Sequence, residues 1–148
     1  MRSWMVSKGL LLLVSSAMLF TACSKDAGEG GTSTIRGKVI INSFQAGFQP
    51  PVPDTSYAAV DENAYIIYGA DHSTYDDNYN TSYDGSYEFK YLQKGKYKIF
   101  AYSKDSTGAY LGNISGARPK IPVFVEVEIT ENGSVVTAPD IVILKDNQ

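Results

Sequence analysis

From Thr34 onward, apolar and polar residues trade places at every second position in short runs, the period of a half-buried strand. In residues 34–42 (TIRGKVIIN), Ile35, Val39 and Ile41 share one parity while Arg36 and Lys38 take the other. Residues 95–103 set Tyr97, Ile99 and Ala101 against Lys96 and Lys98. Residues 122–130 set Val123, Val125, Val127 and Ile129 against Phe124, Glu126 and Glu128. A short aromatic and β-branched run occupies 64–69 (AYIIYG), and 135–144 supplies a last strand after the turn signal Asn132-Gly133. Residues 80–83 and 87–92 flank Asp84-Gly85-Ser86, a hairpin signal that sets Tyr83 and Tyr87 opposite each other. No helical pattern runs ten residues in this part of the chain. The expected fold class is therefore all-β, a seven-stranded antiparallel sandwich with a modest two-sheet core.

The stretch YDDNYNTSYDGSYEFKY places tyrosines at 75, 79, 83, 87 and 91, a spacing that suits a helix face. Its Asp, Asn, Thr and Ser are poor helix formers, and Asp84-Gly85 breaks any run. Oxygen-bearing residues at 76, 78, 80, 82 and 84 also resemble a Ca²⁺ loop. Counted from Asp76, however, the sixth residue is Thr81 where an EF-hand needs Gly, and the twelfth is Tyr87 where it needs Glu. Alternate residues of an extended segment lie along a line and do not converge on one ion. Asp76 and Asp77 are left as a weak candidate site in a loop, and no metal or cofactor is expected. The spacing of four is what hairpin geometry and a Tyr-rich composition leave behind.

Before the strands, the chain reads differently. Residues 1–8 carry Arg2 and Lys8, and 9–22 form an uncharged, largely apolar run too short to span a bilayer as a helix. This is the pattern of a signal peptide. It ends in Leu19-Phe20-Thr21-Ala22-Cys23, which resembles the lipobox of bacterial lipoproteins. That resemblance implies cleavage before Cys23 and lipid attachment to its thiol, hence anchoring to a membrane without spanning it. Cys23 is the only cysteine, so it has no internal disulfide partner. Residues 23–33 read as lipidated cysteine and flexible tether, and 34–148 as the folded domain. The early Ser24-Lys25-Asp26 resembles the signal that sends lipoproteins of some Gram-negative groups to the outer cell surface. Outer-membrane attachment is expected, on either face. Losing Arg2 and Lys8 takes the 13 basic residues to 11 against 16 acids, a formal charge of −5. That balance argues against nucleic-acid partners.

Ile35-Arg-Gly-Lys-Val39, then Thr81-Ser-Tyr-Asp-Gly-Ser-Tyr-Glu-Phe89, Leu92, Gly95-Lys-Tyr97 and Ile99-Phe-Ala101 follow one pattern in order. It resembles the transthyretin-like (prealbumin-like) Greek-key sandwich of carboxypeptidase regulatory-like and Cna-B-type domains. The resemblance implies Tyr87 and Phe89 facing inward and leaves function open, since such domains serve as stalks, adaptors and binding modules. Some Cna-B-type domains carry an intramolecular Lys–Asn isopeptide bond. Here Lys38 lies on the polar parity and 135–144 has no asparagine, so that bond is not expected. One enzyme of this fold, a hydrolase of hydroxyisourate, uses several histidines; this chain has only His72 and ends in Leu144-Lys-Asp-Asn-Gln148. A single histidine and a single cysteine leave no Ser-His or His-rich metal constellation, and no enzyme activity is expected.

Two long connections, 43–63 and 104–121, follow the first and fifth expected strands. Strand alternation places them at one end, opposite the loop at 71–79. Their Phe44, Phe48, Tyr57, Tyr110, Arg118 and Lys120 are the candidate binding residues, set on loops over a rigid frame. The expected function is a lipid-anchored binding or accessory module for a protein or polysaccharide. The alternative is a stalk or assembly subunit that pairs through the edge at 135–144, which Pro139 interrupts; a small hydrolase is more remote.

Overall fold

The computed structural model describes residues 27–44, 53–69, 73–104 and 120–146, and among them every regular element is a strand. There are nine, two more than expected: β1 (Glu29–Phe44), β2 (Pro53–Ala58), β3 (Asn63–Tyr68), β4 (Asp77–Asn80), β5 (Ser86–Leu92), β6 (Gly95–Lys104), β7 (Lys120–Ile129), β8 (Val135–Thr137) and β9 (Ile141–Asp146). They form two sheets, one of five strands gathered around β1 and one of four in the order β4-β3-β6-β7.

β1 is longer than the alternation alone indicates. It starts at Glu29, so residues 29–33, read from sequence as tether, are strand. The Ser33 hydroxyl, fully buried, donates to the Glu131 carbonyl at 3.0 Å and ties this segment to the β7–β8 turn. β1 carries β5 along its first half and β2 along its second, both antiparallel. Its other side takes β8 and β9, both parallel. The larger sheet is therefore mixed, whereas a wholly antiparallel sandwich was expected. The single strand read at 135–144 divides at Pro139, which lacks an N–H. Between the pairs Arg36↔Thr137 and Val39↔Ile141, three steps on β1 meet four on its partner. The extra residue lets one proline-interrupted strand stay in parallel register.

The inward parity is as the alternation predicts. Ile35, Val39, Ile41, Tyr87, Phe89, Leu92, Tyr97, Ile99, Ala101, Ile141 and Ile143 form the core with Ala64 and Ile66, each at most 4% exposed. Tyr87 pairs with Gly37 across the sheet, and its phenol lies over the glycine. A Cβ at Gly37 would sit 2.3 Å from the Tyr87 hydroxyl oxygen and 2.4 Å from the ring carbon that bears it. The glycine of Ile35-Arg-Gly-Lys-Val39 is thus a space requirement set by Tyr87. The hydroxyl itself is buried without a hydrogen-bond partner, and burial pushes its pKa up.

The hairpin expected around Asp84-Gly85-Ser86 is a turn displaced by one residue. Ser82 and Ser86 close it, with Ser82 N–H donating to Ser86 O and Gly85 N–H to Ser82 O, both at 2.9 Å. The loop is Tyr83-Asp84-Gly85, with Gly85 at φ 76°. Tyr83 is consequently 86% exposed and does not face Tyr87. Beyond Ser82 the strands part: β4 joins β3, β5 joins β1, and the turn bridges the two sheets. Thr81 pins this corner, its hydroxyl donating to the Ala59 carbonyl and accepting from Glu62 N–H at 2.9 Å. Tyr91, whose facing the sequence leaves undecided, is exposed at φ 59°. It is the surplus residue of a bulge, because Ser33 pairs with Leu92 while Ile35 pairs with Phe89. That extra step returns Leu92 to the core.

Replacing Gly37 by Ala is expected to lower unfolding free energy by about 1–3 kcal/mol through overpacking against Tyr87. Tyr87→Phe is expected to be neutral or stabilising, since it removes a buried hydroxyl that has no partner. Urea denaturation of the two variants checks both signs.

Candidate functional site

The outward parity of the four-stranded sheet departs from its charged pattern partway along β6 and β7. On β6 and β7 the outward partners are Lys96↔Glu128 and Lys98↔Glu126, opposite charges in direct register. The next pair is Phe100↔Phe124, and Phe100 also pairs with Tyr65 on β3, which in turn pairs with Asn78 on β4. Three rings therefore stand in a row across neighbouring strands, over about 10 Å at the usual interstrand spacing. The Tyr65 and Phe100 rings stack with centroids 5.0 Å apart and an interplanar angle of 17°. Phe100 and Phe124 lie 5.1 Å apart at 49°. Tyr102 closes on both Phe100 (5.4 Å) and Tyr65 (5.5 Å) edge-on, and Tyr75 leans on Tyr65 at 4.8 Å.

This cluster lies outside the core. Phe100 is only 5% exposed, yet its parity is opposite to Tyr97, Ile99 and Ala101, and it is covered by the other rings. Those coverers face solvent: Tyr75, Phe124 and Tyr102 are 51%, 49% and 40% exposed. The Tyr65 hydroxyl has its pKa raised, first by burial and then by Tyr75, Tyr102 and Glu62 around it. It stays neutral near pH 7, a donor and acceptor at the edge of an apolar surface.

Above the row, the platform runs into a recess of about 300 Å³ lined by Glu62, Asn63, Tyr65, Tyr102, Lys104, Lys120, Leu144 and Lys145. Lys104 and Lys120 are paired residues at the ends of β6 and β7. Lys145 makes an ion pair with Glu62. The buried Ser103 hydroxyl accepts from Leu144 N–H at 2.8 Å and donates to the Lys104 carbonyl at 3.0 Å, joining the sheets beneath the recess.

The residues proposed from sequence fall in several places. Cys23, Phe48, Tyr110, Arg118 and His72 lie outside the described residues, as does the Phe44 side chain. Tyr57 is not in an end loop: it lies on β2, opposite Ile41, at 48% exposure. Part of the long connection at 43–63 thus returns as an edge strand, with Pro53 at its first position, where a missing N–H is tolerated. Lys120 opens β7 and lines the recess. The chain leaves the described residues after Phe44 and Lys104 and re-enters at Pro53 and Lys120, all at this end of the sheets. The 69–73 connection leaves from the other end, where Gly69 N–H donates to Lys96 O. Asp76 accepts from Tyr68 N–H at 2.7 Å and Asp77 from Asn78 N–H at 2.7 Å. Among the described residues no three His, Cys, Asp or Glu side chains gather as metal ligands.

Tyr65, Phe100, Tyr102 and Phe124 were not singled out from sequence. For Phe100, Tyr102 and Phe124 a signal was available, since each is an aromatic where the strand's alternation calls for a polar residue; Tyr65 lies in a run, 64–69, that has no such alternation.

No protein-family model and no curated protein matches the chain. Among solved structures it is similar to a proposed carbohydrate binding protein of Pseudomonas aeruginosa, at 11% identity and a TM-score of 0.46, over 80% of this chain and 92% of that one. A likeness of this degree does not identify a function.

Phe124→Ala is expected to change unfolding free energy by less than about 1 kcal/mol, as for an exposed side chain. Phe100→Ala, which empties the centre of the cluster, should cost about 3 kcal/mol. Chemical denaturation of each variant measures the difference.

Proposed function

We propose that this chain is a non-catalytic binding module that holds a polysaccharide on the outer face of the β4-β3-β6-β7 sheet. The observation that carries the reading is the aromatic cluster on that face, where Phe124, Tyr102 and Tyr75 are exposed around Tyr65 and a covered Phe100. A sheet face turned to water is stabilised by polar residues, and a contiguous apolar patch there marks an interaction surface. Sugar rings present C–H groups on one face, and these fit the electron-rich faces of aromatic side chains. Asn63, Asn78, Lys98 and Glu126 around the rings are side chains suited to sugar hydroxyls. A single histidine and a single cysteine in the chain are in keeping with binding without catalysis.

The module is also proposed to be anchored to the outer membrane through Cys23. From Cys23 to Glu29 is six residues, a reach of at most about 20 Å. Glu29 begins β1 at the end opposite the recess, so a lipid at Cys23 would hold the recess away from the bilayer. A stalk or assembly role through the edge at β8 and β9 is less well supported, since Pro139 and Asp140 interrupt that edge and shift its register.

Affinity electrophoresis of residues 24–148 through gels containing different polysaccharides tests the reading. At least one polymer should retard the protein. The Tyr102→Ala/Phe124→Ala double variant should lose about thirtyfold in affinity, at roughly 1 kcal/mol per ring. Unchanged retardation of the double variant, with its fold intact, would remove the platform as the binding surface.

A further inference from the structure

The platform and the tether are joined through one strand. Given that the chain is anchored at Cys23 and holds a polymer on the platform, we infer that the domain is a load-bearing coupler, in which tension between polymer and membrane passes lengthwise through β1.

Three observations point there. The tether enters the fold at Glu29, the first residue of β1, so a pull from Cys23 acts along the axis of that strand. Second, β1 is held on both sides: by β5 and β2 along one, and by β8 at Thr34–Arg36 and β9 at Val39–Phe44 along the other. The hydrogen bonds of a sheet run across its strands. A pull along β1 therefore loads these ladders together in shear, whereas a pull at right angles opens bonds one after another. Side chains add a further stop, because sliding β1 by one residue turns Ile35, Val39 and Ile41 out of the core. Third, each platform strand is joined by a short connection to a strand bonded to β1. β3 follows β2 across residues 59–62, β6 follows β5 across 93–94, and β7 leads to β8 across 130–134. These connections are themselves tied to β1 or to its entry: Ala59 N–H donates to Val39 O at 3.0 Å, Gln93 N–H to Gly28 O at 2.8 Å, and Thr34 N–H to Ser134 O at 2.9 Å. Load on Tyr65, Phe100 or Phe124 thus reaches β1 from both of its sides. A tether leading into β4, which pairs only with β3 at the edge of its sheet, would peel that strand away under the same pull.

Single-molecule force spectroscopy on the unlipidated chain from Cys23 onward tests this without lipid or polysaccharide. With Tyr102→Cys, the thiols at 23 and 102 pull lengthwise along β1. With Cys23→Ser/Asn78→Cys/Phe124→Cys, the pull runs along the row Asn78–Tyr65–Phe100–Phe124, at right angles to the strands. Lengthwise rupture is expected in one step and at about twice the sideways force or more, since forced unfolding is governed by the unfolding rate and shear slows it. A lengthwise force no greater than the sideways one, or stepwise peeling of β1 at low force, overturns the coupler and leaves polysaccharide binding standing. A strong lengthwise hold in a chain that no polysaccharide retards removes the binding reading and, with it, the coupler.

Discussion

Every other strand of the larger sheet pairs with β1, and much of the domain's form follows from that dependence. β5 and β2 share one side of it end to end, while β8 and β9 share the other. A strand hydrogen-bonded on both sides over most of its length cannot slip by one residue without turning Ile35, Val39 and Ile41 outward. The irregularities are therefore displaced onto its partners. Tyr91 takes a positive φ in β5, and Pro139 separates β8 from β9. Gly37 leaves room for the Tyr87 phenol, which lies where a Cβ at that register would stand.

With β1 carrying one sheet and the inward residues of β3, β6 and β7 covering it, the outer face of the second sheet has little left to do for folding. Its inner face already supplies Ala64, Ile66, Tyr97, Ile99, Ala101, Val127 and Ile129 to the core. Stability would be served by continuing the Lys–Glu pairs of the lower rows upward. The chain instead places phenylalanine and tyrosine there, leaving Phe124 about half exposed at a cost that rises with apolar area in water. The rings also buttress one another. Phe100 is held by Tyr65, Tyr102 and Phe124, so the ring that stacks on Tyr65 is fixed by edge-on and tilted neighbours.

The facing of individual residues was legible in the sequence, and the pairing of strands was not. Alternation assigns the inward sets on β1, β6 and β7 because burial of one face imposes a period of two. The same periodicity is silent on which strand lies beside which, so the parallel pairing of β8 and β9 with β1 leaves no local trace. The turn at Gly85 was read one residue late because Asp84-Gly85 fits a loop at either position; what decides it is that Ser82 and Ser86 close the turn. β2 was hidden because Pro53-Asp-Thr-Ser-Tyr-Ala58 has no apolar alternation, as suits an edge strand with little to bury. The platform needs residues from β3, β6 and β7, separated by more than twenty positions at the nearest and joined only by register. Phe100, Tyr102 and Phe124 were visible on a polar parity, but the row they make with Tyr65 is a property of the sheet.

Aromatic rings and charged pairs occupy different rows of this face. Aromatic rings bind any pyranose that offers them a C–H face, so the row alone supplies affinity with little choice among sugars. Choice comes from groups that are costly to leave unmatched. At the lower rows each lysine is already opposite a glutamate, and a ligand gains little by addressing it. At the upper end of the strands Lys104 and Lys120 stand in register, and Lys145 beside them is engaged by Glu62. The unfavourable register is tolerated at the strand ends, where side chains reach into solvent and like charges are screened. It is also where both long connections enter and leave the sheets. The rings and the lysine-bearing strand ends thus meet at the mouth of the sandwich, at the end of the sheets farthest from the start of β1.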